Sequence, residues 1–150
     1  MGETAFTTVS PELEPVLAEL RPMEPIFHTE GFGMAPADFE RRMAPDYFEV
    51  GVSGRRYSRA FIVRTLAEIP PVAASSAGWE CDEFGLRQLG PETYLLTYAL
   101  RQGTRITHRV TIWQRTGEGW RILYHQGTLA CAVEDDTMPR AEEMAPPSGC

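Results

Sequence analysis

The sequence predicts an α+β domain, a strongly curved antiparallel sheet with helices gathered on one face. Three observations point there. Short, proline-cut helical segments occupy the first half. From Trp79 onward the apolar period changes from about 3.6 to 2. The alternating runs are joined by short turns, which make consecutive strands antiparallel neighbours in a meander.

Residues 1–9 read as a flexible arm. Ser10-Pro11-Glu12 opens a helix whose Leu13, Val16, Leu17 and Leu20 recur at spacings of three and four. Pro15, Pro22 and Pro25 cut this region into short pieces, because proline removes a donor and is tolerated only in a first turn. Glu30–Gly33 is a loop. A short helix from Pro36 through Met43 buries Phe39 and Met43. Tyr47–Val52 is the first strand, and Ser53, Gly54, Arg55 and Arg56 form a turn with Tyr57 just beyond it. Ser58 caps a helix running to Glu68 whose Ile62, Leu66 and Ile69 share a face. Pro70-Pro71 end it. Residues 72–78 are a connector, and Trp79–Leu89, Thr93–Gln102, Arg105–Arg115 and Trp120–Leu129 are four strands. The last two form a long hairpin around ThrGlyGluGly. Residues 10–133 thus make one domain, and the acidic, proline-rich 134–150 reads as a disordered tail.

The bulk numbers bound the function. A chain of 150 residues, 43% apolar, supports one real core. Its formal charge of −7 argues against nucleic acid, since phosphate contacts need a basic surface. All 14 basic residues are arginine, a usage that genomic G+C bias explains as readily as anion pairing. Cys81, Cys131 and Cys150 give an odd count without CxxC spacing, so neither a disulfide framework nor a zinc site is expected. No secretory signal, myristoylation pattern or apolar run of about 18 residues is read. The expectation is a cytoplasmic protein without nucleic-acid or membrane partners.

PheGluValGlyValSerGlyArgArgTyrSerArg (48–59), ThrIleTrpGlnArg (111–115) and GlyTrpArgIleLeuTyrHisGlnGlyThr (119–128) together resemble the NTF2-like superfamily, and within it the DUF4440 or SnoaL-like group. The resemblance spans about residues 20–128. It implies a cone: a curved antiparallel sheet wrapped on three helices around a pocket open at one end, often dimerising through the outer sheet face. The same cone hosts isomerases, cyclases, dehydratases and non-catalytic association modules, so it implies little about chemistry.

Candidate chemistry comes from single residues. Glu49 lies between Phe48 and Val50 on a strand and points opposite to both. Facing the interior, its carboxyl would be desolvated and suited to acid–base work; the alternative is a structural carboxylate pairing Arg55 or Arg59 at the turn. His125 alternates with Tyr124 and Gln126, shares a face with Leu123, and titrates near pH 7 if suitably oriented. It is otherwise a buried histidine satisfied locally. Tyr57 or Tyr98 would donate a proton. Tyr98, Trp113, Trp120 and Tyr124 supply aromatic surface, as pocket lining or plain core. Arg109, Thr111, Gln126 and Thr128 line the pocket mouth or pair across strands. His108 shares a face with His125 only for one turn parity, and His28 ends a helical segment. Histidines so scattered suggest no metal, and no cofactor is expected.

Two readings of function follow. In the first, a small apolar molecule binds in the cone and undergoes proton transfer with Glu49 or His125 as base. In the second, the chain is a non-catalytic dimeric association module with a filled cone. Sequestration of a toxic ligand, as in resistance proteins, is a third. A homodimer is expected in either of the first two, because an outer sheet face rich in aromatics is too apolar to leave wet.

Overall fold

The computed structural model describes residues 5–132 together with Asp136 and Met138. The expected tail over 134–150 otherwise lies outside the described residues, as do residues 1–4 of the arm. Residues 5–9 run along the sheet: Thr8 O accepts from Leu86 N at 3.5 Å, and Val9 packs against the core.

A 3-10 turn over Pro11–Leu13 leads into α1 (Glu14–Leu20). Each proline here sits at the start of its helical piece, where an N–H would go unpaired anyway. Leu13, Val16, Leu17 and Leu20 are all buried, the expected stripe. A second 3-10 turn ends at Met23, and from Met23 to Phe27 all five residues are buried. In α2 (Pro36–Arg42), Phe39 faces the core and Arg42 donates to the carbonyls of Phe32 at 3.1 Å and Trp120 at 3.0 Å. That tie holds the 30–33 loop down, so Phe32 is fully buried edge-on to Phe27 and Trp113.

The first strand, β1 (Met43–Val50), starts four residues earlier than expected. Met43 belongs to it rather than to the preceding helix. Pro45 falls where pairing with the last strand is irregular, between Met43 and Phe48, a place that tolerates a residue without an N–H. The turn to β2 (Arg56–Ser58) uses Gly54 at φ +86°, a conformation that favours glycine. Ser58 Oγ accepts from Phe61 N at 3.2 Å and caps α3 (Arg59–Glu68). Ile62 is buried, but Ile69 is 70% exposed because it follows the last helical residue and leaves the helical face. One short helix, α4 (Ala74–Ala77), lies within the expected connector.

The remaining strands, β3 (Glu80–Gly90), β4 (Thr93–Gln102), β5 (Arg105–Thr116) and β6 (Gly119–Leu129), agree with the sequence reading to within a residue at either end. The sheet order is β2-β1-β6-β5-β4-β3, and with the N-terminal helices it forms an α+β cone. One expectation is corrected: β1 runs parallel to β6, so the sheet is mixed. Short turns reveal only how sequence neighbours pair. A parallel pair needs a long crossover, which here is all of the chain between β1 and β6.

Tyr94, Tyr98, Trp113 and Trp120 are buried on the helix-covered face. The opposite face is therefore less aromatic than expected. It carries Phe48 against Tyr124, ring centroids 5.0 Å apart, with the aliphatic Leu95, Val110 and Ile112 beside them.

Candidate functional site

Strand register sets one row of side chains across four strands. Tyr57 of β2 lies opposite Glu49 of β1, Glu49 opposite His125 of β6, and His125 opposite Thr111 of β5. Residues paired in register share a face, and Thr111 and His125 are buried under the helices. The three residues expected to handle protons, Glu49, His125 and Tyr57, therefore stand side by side on the inner wall. Tyr98, opposite Arg109, and Trp113 share that face.

Gln126 and Thr128 do not. Period-2 alternation turns both away from the His125 face, with His108, which pairs with Thr128. A cleft of about 1070 Å³ opens mainly on that other side, lined by Phe6, Leu95, Thr97, His108 and Thr128, and reaching Tyr98 and Arg109. His108 and His125 thus face opposite ways. Leu123 is likewise displaced, because the register shifts at this point and Trp113 pairs with Ile122 while Ile112 pairs with Tyr124. Leu123 is the extra residue of a bulge, and Ile122 takes the buried position.

Four side chains of the inner wall form one directed chain. Arg109 Nη1 lies 3.4 Å from His125 Nε2, His125 Nδ1 lies 2.8 Å from Thr111 Oγ1, and Thr111 donates to Glu24 Oε1 at 2.9 Å. Arginine has only N–H groups to offer, so His125 Nε2 must accept. A neutral imidazole then carries its hydrogen on Nδ1 and donates it to Thr111. The threonine hydroxyl is left to donate to Glu24. Every bond in the chain points the same way.

Glu24 was missed in the sequence. The available signal was a lone acid in an apolar segment, Met23 to Phe27, between two prolines. Tyr98 Oη and Trp113 Nε1, both buried and without a hydrogen-bond partner, face the same carboxyl. Burial wins over these donors and over the nearby Arg109 charge, pushing Glu24 up to about 8. Burial also raises Glu49 to about 7, against the pull of Arg109 and of the Tyr47 hydroxyl that faces it without closing a hydrogen bond. His125 is driven down to about 3 by burial first and by the Arg109 cation second. Near neutral pH, Glu24 is mostly a neutral acid, His125 a neutral imidazole, and Glu49 populates both forms.

Arg109 is the half-buried cation among them. Its Nε donates to Thr107 Oγ1 at 2.9 Å, and its guanidinium lies across Gly127, its register partner. A Cβ at Gly127 would meet Arg109 Cζ at 3.1 Å and Val52 Cγ2 at 3.0 Å. A side chain there would press on the guanidinium and on Val52, so Gly127 leaves Arg109 its place; it is a second residue the sequence reading passed over. Among the described residues no carboxylate lies within ion-pair distance of Arg109.

The remaining candidates serve structure. Ser53 Oγ accepts from Arg55 N at 3.3 Å within the turn. Arg55 lies over the Tyr57 ring, 5.7 Å from its centroid, and Arg59 donates to the Glu40 carbonyl at 2.9 Å. Neither arginine pairs with Glu49, so the carboxylate does not hold the turn through them. His28 ends no helix; it lies in a turn region and bonds Val72 O through Nδ1 at 2.8 Å. Cys81 is a free thiol. Among the described residues no group of three His, Cys, Asp or Glu side chains is placed to hold a metal, and no helix is long and apolar enough to cross a membrane.

No protein-family profile and no curated protein matches the sequence. Solved structures do. A DUF3225-family protein of unknown function from Pectobacterium atrosepticum superposes with TM-score 0.60 at 17% identity, over 87% of this chain and 100% of that one. An NTF2-like protein from Cytophaga hutchinsonii gives TM-score 0.58 at 8% identity, over 81% of this chain and 100% of its own. An uncharacterised protein with a cystatin-like fold from Caulobacter vibrioides gives 0.55 at 17% identity, over 78% and 88%. The fold is NTF2-like. At these identities the likeness speaks of fold alone.

The buried acids give stability a pH dependence. Folding raises Glu24 and Glu49 above their ordinary 4.5, so the folded chain holds protons that the unfolded chain releases. Stability from these groups is lost as pH rises from about 4.5 to about 8. His125, lowered from 6.5, acts in the opposite sense, but only below 6.5. Between pH 6.5 and 8 the acids act alone. Over that window Glu24 is expected to cost on the order of 1–2 kcal/mol. Urea denaturation of Glu24→Gln should show a flatter pH profile than the parent chain. Parallel profiles would show that this carboxyl is not held neutral by burial.

Proposed function

We propose that this chain binds a small, largely apolar molecule against the inner wall of its sheet and catalyses proton transfer on it, in an isomerase-, cyclase- or dehydratase-like reaction. Within the NTF2-like fold we place it in the DUF4440/SnoaL-like group, on the motifs at 48–59, 111–115 and 119–128. One observation carries the reading. The Glu49 carboxyl, held by burial at about 7, stands in register between Tyr57 and His125 beside a buried polar chain.

A group that titrates near the working pH is present as both base and acid, the condition for efficient proton transfer. Glu49 is also more accessible than Glu24 or His125, so it is the group that removes and returns the proton. His125 takes a different role from the one expected of it. Its Nδ1 is committed to Thr111 and its Nε2 faces Arg109, so it positions Arg109 rather than acting as base. Tyr98 faces Glu24, which leaves Tyr57 as the hydroxyl donor. Tyr57 is half-buried, stacked on Phe61 at 5.2 Å, and directly beside Glu49 in the sheet.

We place the protein in the cytoplasm as a homodimer paired through the outer sheet face around Phe48 and Tyr124. Light scattering at micromolar concentration should give twice the chain mass; a monomer there would contradict the pairing. The chemistry is tested by α-proton exchange into small ketones in D2O, followed by NMR. Exchange should fall about 10²–10⁴-fold in Glu49→Gln, with folding intact by circular dichroism. Exchange equal to that of the parent chain would remove Glu49 from the mechanism.

A further inference from the structure

Several buried polar groups of the inner wall close no hydrogen bond. Tyr47 Oη, Tyr98 Oη and Trp113 Nε1 are buried without a hydrogen-bond partner. Arg109 spends Nε on Thr107 and Nη1 on His125, which leaves Nη2 without a hydrogen bond among the described residues. Glu24, kept neutral by burial, does not cancel the guanidinium charge, and Glu49 lies beyond ion-pair distance. A cation with a free N–H edge, uncancelled by any close carboxylate, is suited to one oxyanion.

We propose that Arg109 receives the carboxylate of the ligand, so that the molecule taken by this wall is a small organic monocarboxylate. This rests on the pocket reading above and deepens it. Gly127 is the device that makes room, because the guanidinium lies flat where a side chain would stand. His125 and Thr107 hold the same guanidinium from two sides, fixing its direction before the ligand arrives. A single arginine with no second cation beside it matches one negative charge. A phosphate dianion would want at least a second cation, and the Arg109 surroundings supply none.

The test uses matched pairs, acetate with acetamide and benzoate with benzamide, titrated into the full chain and followed by backbone amide NMR shifts. Each acid should bind more tightly than its amide, with shifts centred on Gly127 and His125. Arg109→Gln should weaken acid binding by at least about tenfold and amide binding by much less. Arg109→Lys should restore part of the loss, since it keeps the charge without the fork. Amides binding as well as acids, with Arg109→Gln silent, would overturn the carboxylate assignment and leave the pocket standing. Shifts confined to Leu95, Thr97 and Val110 would put the anion in the cleft on the other face and overturn it too. If neither acid nor amide binds, the pocket reading falls with it.

Discussion

The Arg109 guanidinium carries only N–H groups and can donate but never accept, and that fact orders the interior. Because it can only donate, His125 must accept on Nε2, Thr111 must receive from Nδ1, and Glu24 must end the series as acceptor. A buried polar row is costly when half satisfied. This one is threaded from one end, so each of its bonds fixes the direction of the next. The protonation states follow the same logic: an imidazole facing a cation in a dry wall stays neutral, and a carboxyl lacking an ion pair stays protonated.

Sheet register places these groups. Tyr57, Glu49, His125 and Thr111 come from four strands and fall in one line because β1 runs parallel beside β6 while β5 and β2 run antiparallel on either side. Shifting any strand by one residue would send its member to the opposite face. The aromatic core around Phe32 and Trp113 seals one end of that line. Toward Glu49 and Arg109 the wall is only partly covered. Glu24, in the buried 23–27 segment, is more fully covered than Glu49 on its strand, and burial raises both carboxyls.

Much of this was legible in the sequence. The change from helical to alternating spacing gave the four meander strands nearly to the residue, and Ser58 marked its helix by capping chemistry alone. Alternation set Glu49 on the face opposite to Phe48 and Val50, while which of the two faces turns inward came only from the packing of the helices. What period and propensity could not carry was long-range pairing. The parallel contact between β1 and β6 joins residues 76 to 79 positions apart, about which turn chemistry is silent. The bulge at Leu123 likewise breaks alternation without leaving a glycine or proline to mark it. Glu24 escaped because an acid between prolines looks like a surface loop, whereas its five-residue segment is wholly buried. Gly127 read as one small residue in a strand, and only the guanidinium lying across it shows its purpose.

The most direct measurement is the ring nitrogen spectrum of His125 through a pH titration. With Arg109 donating to it, the ring should remain neutral well below the ordinary histidine value of 6.5, since burial lowers it to about 3, and should carry its hydrogen on Nδ1 throughout. A ring that carries its hydrogen on Nε2, or that gains a second proton near 6.5, would contradict the direction of the chain and everything placed upon it.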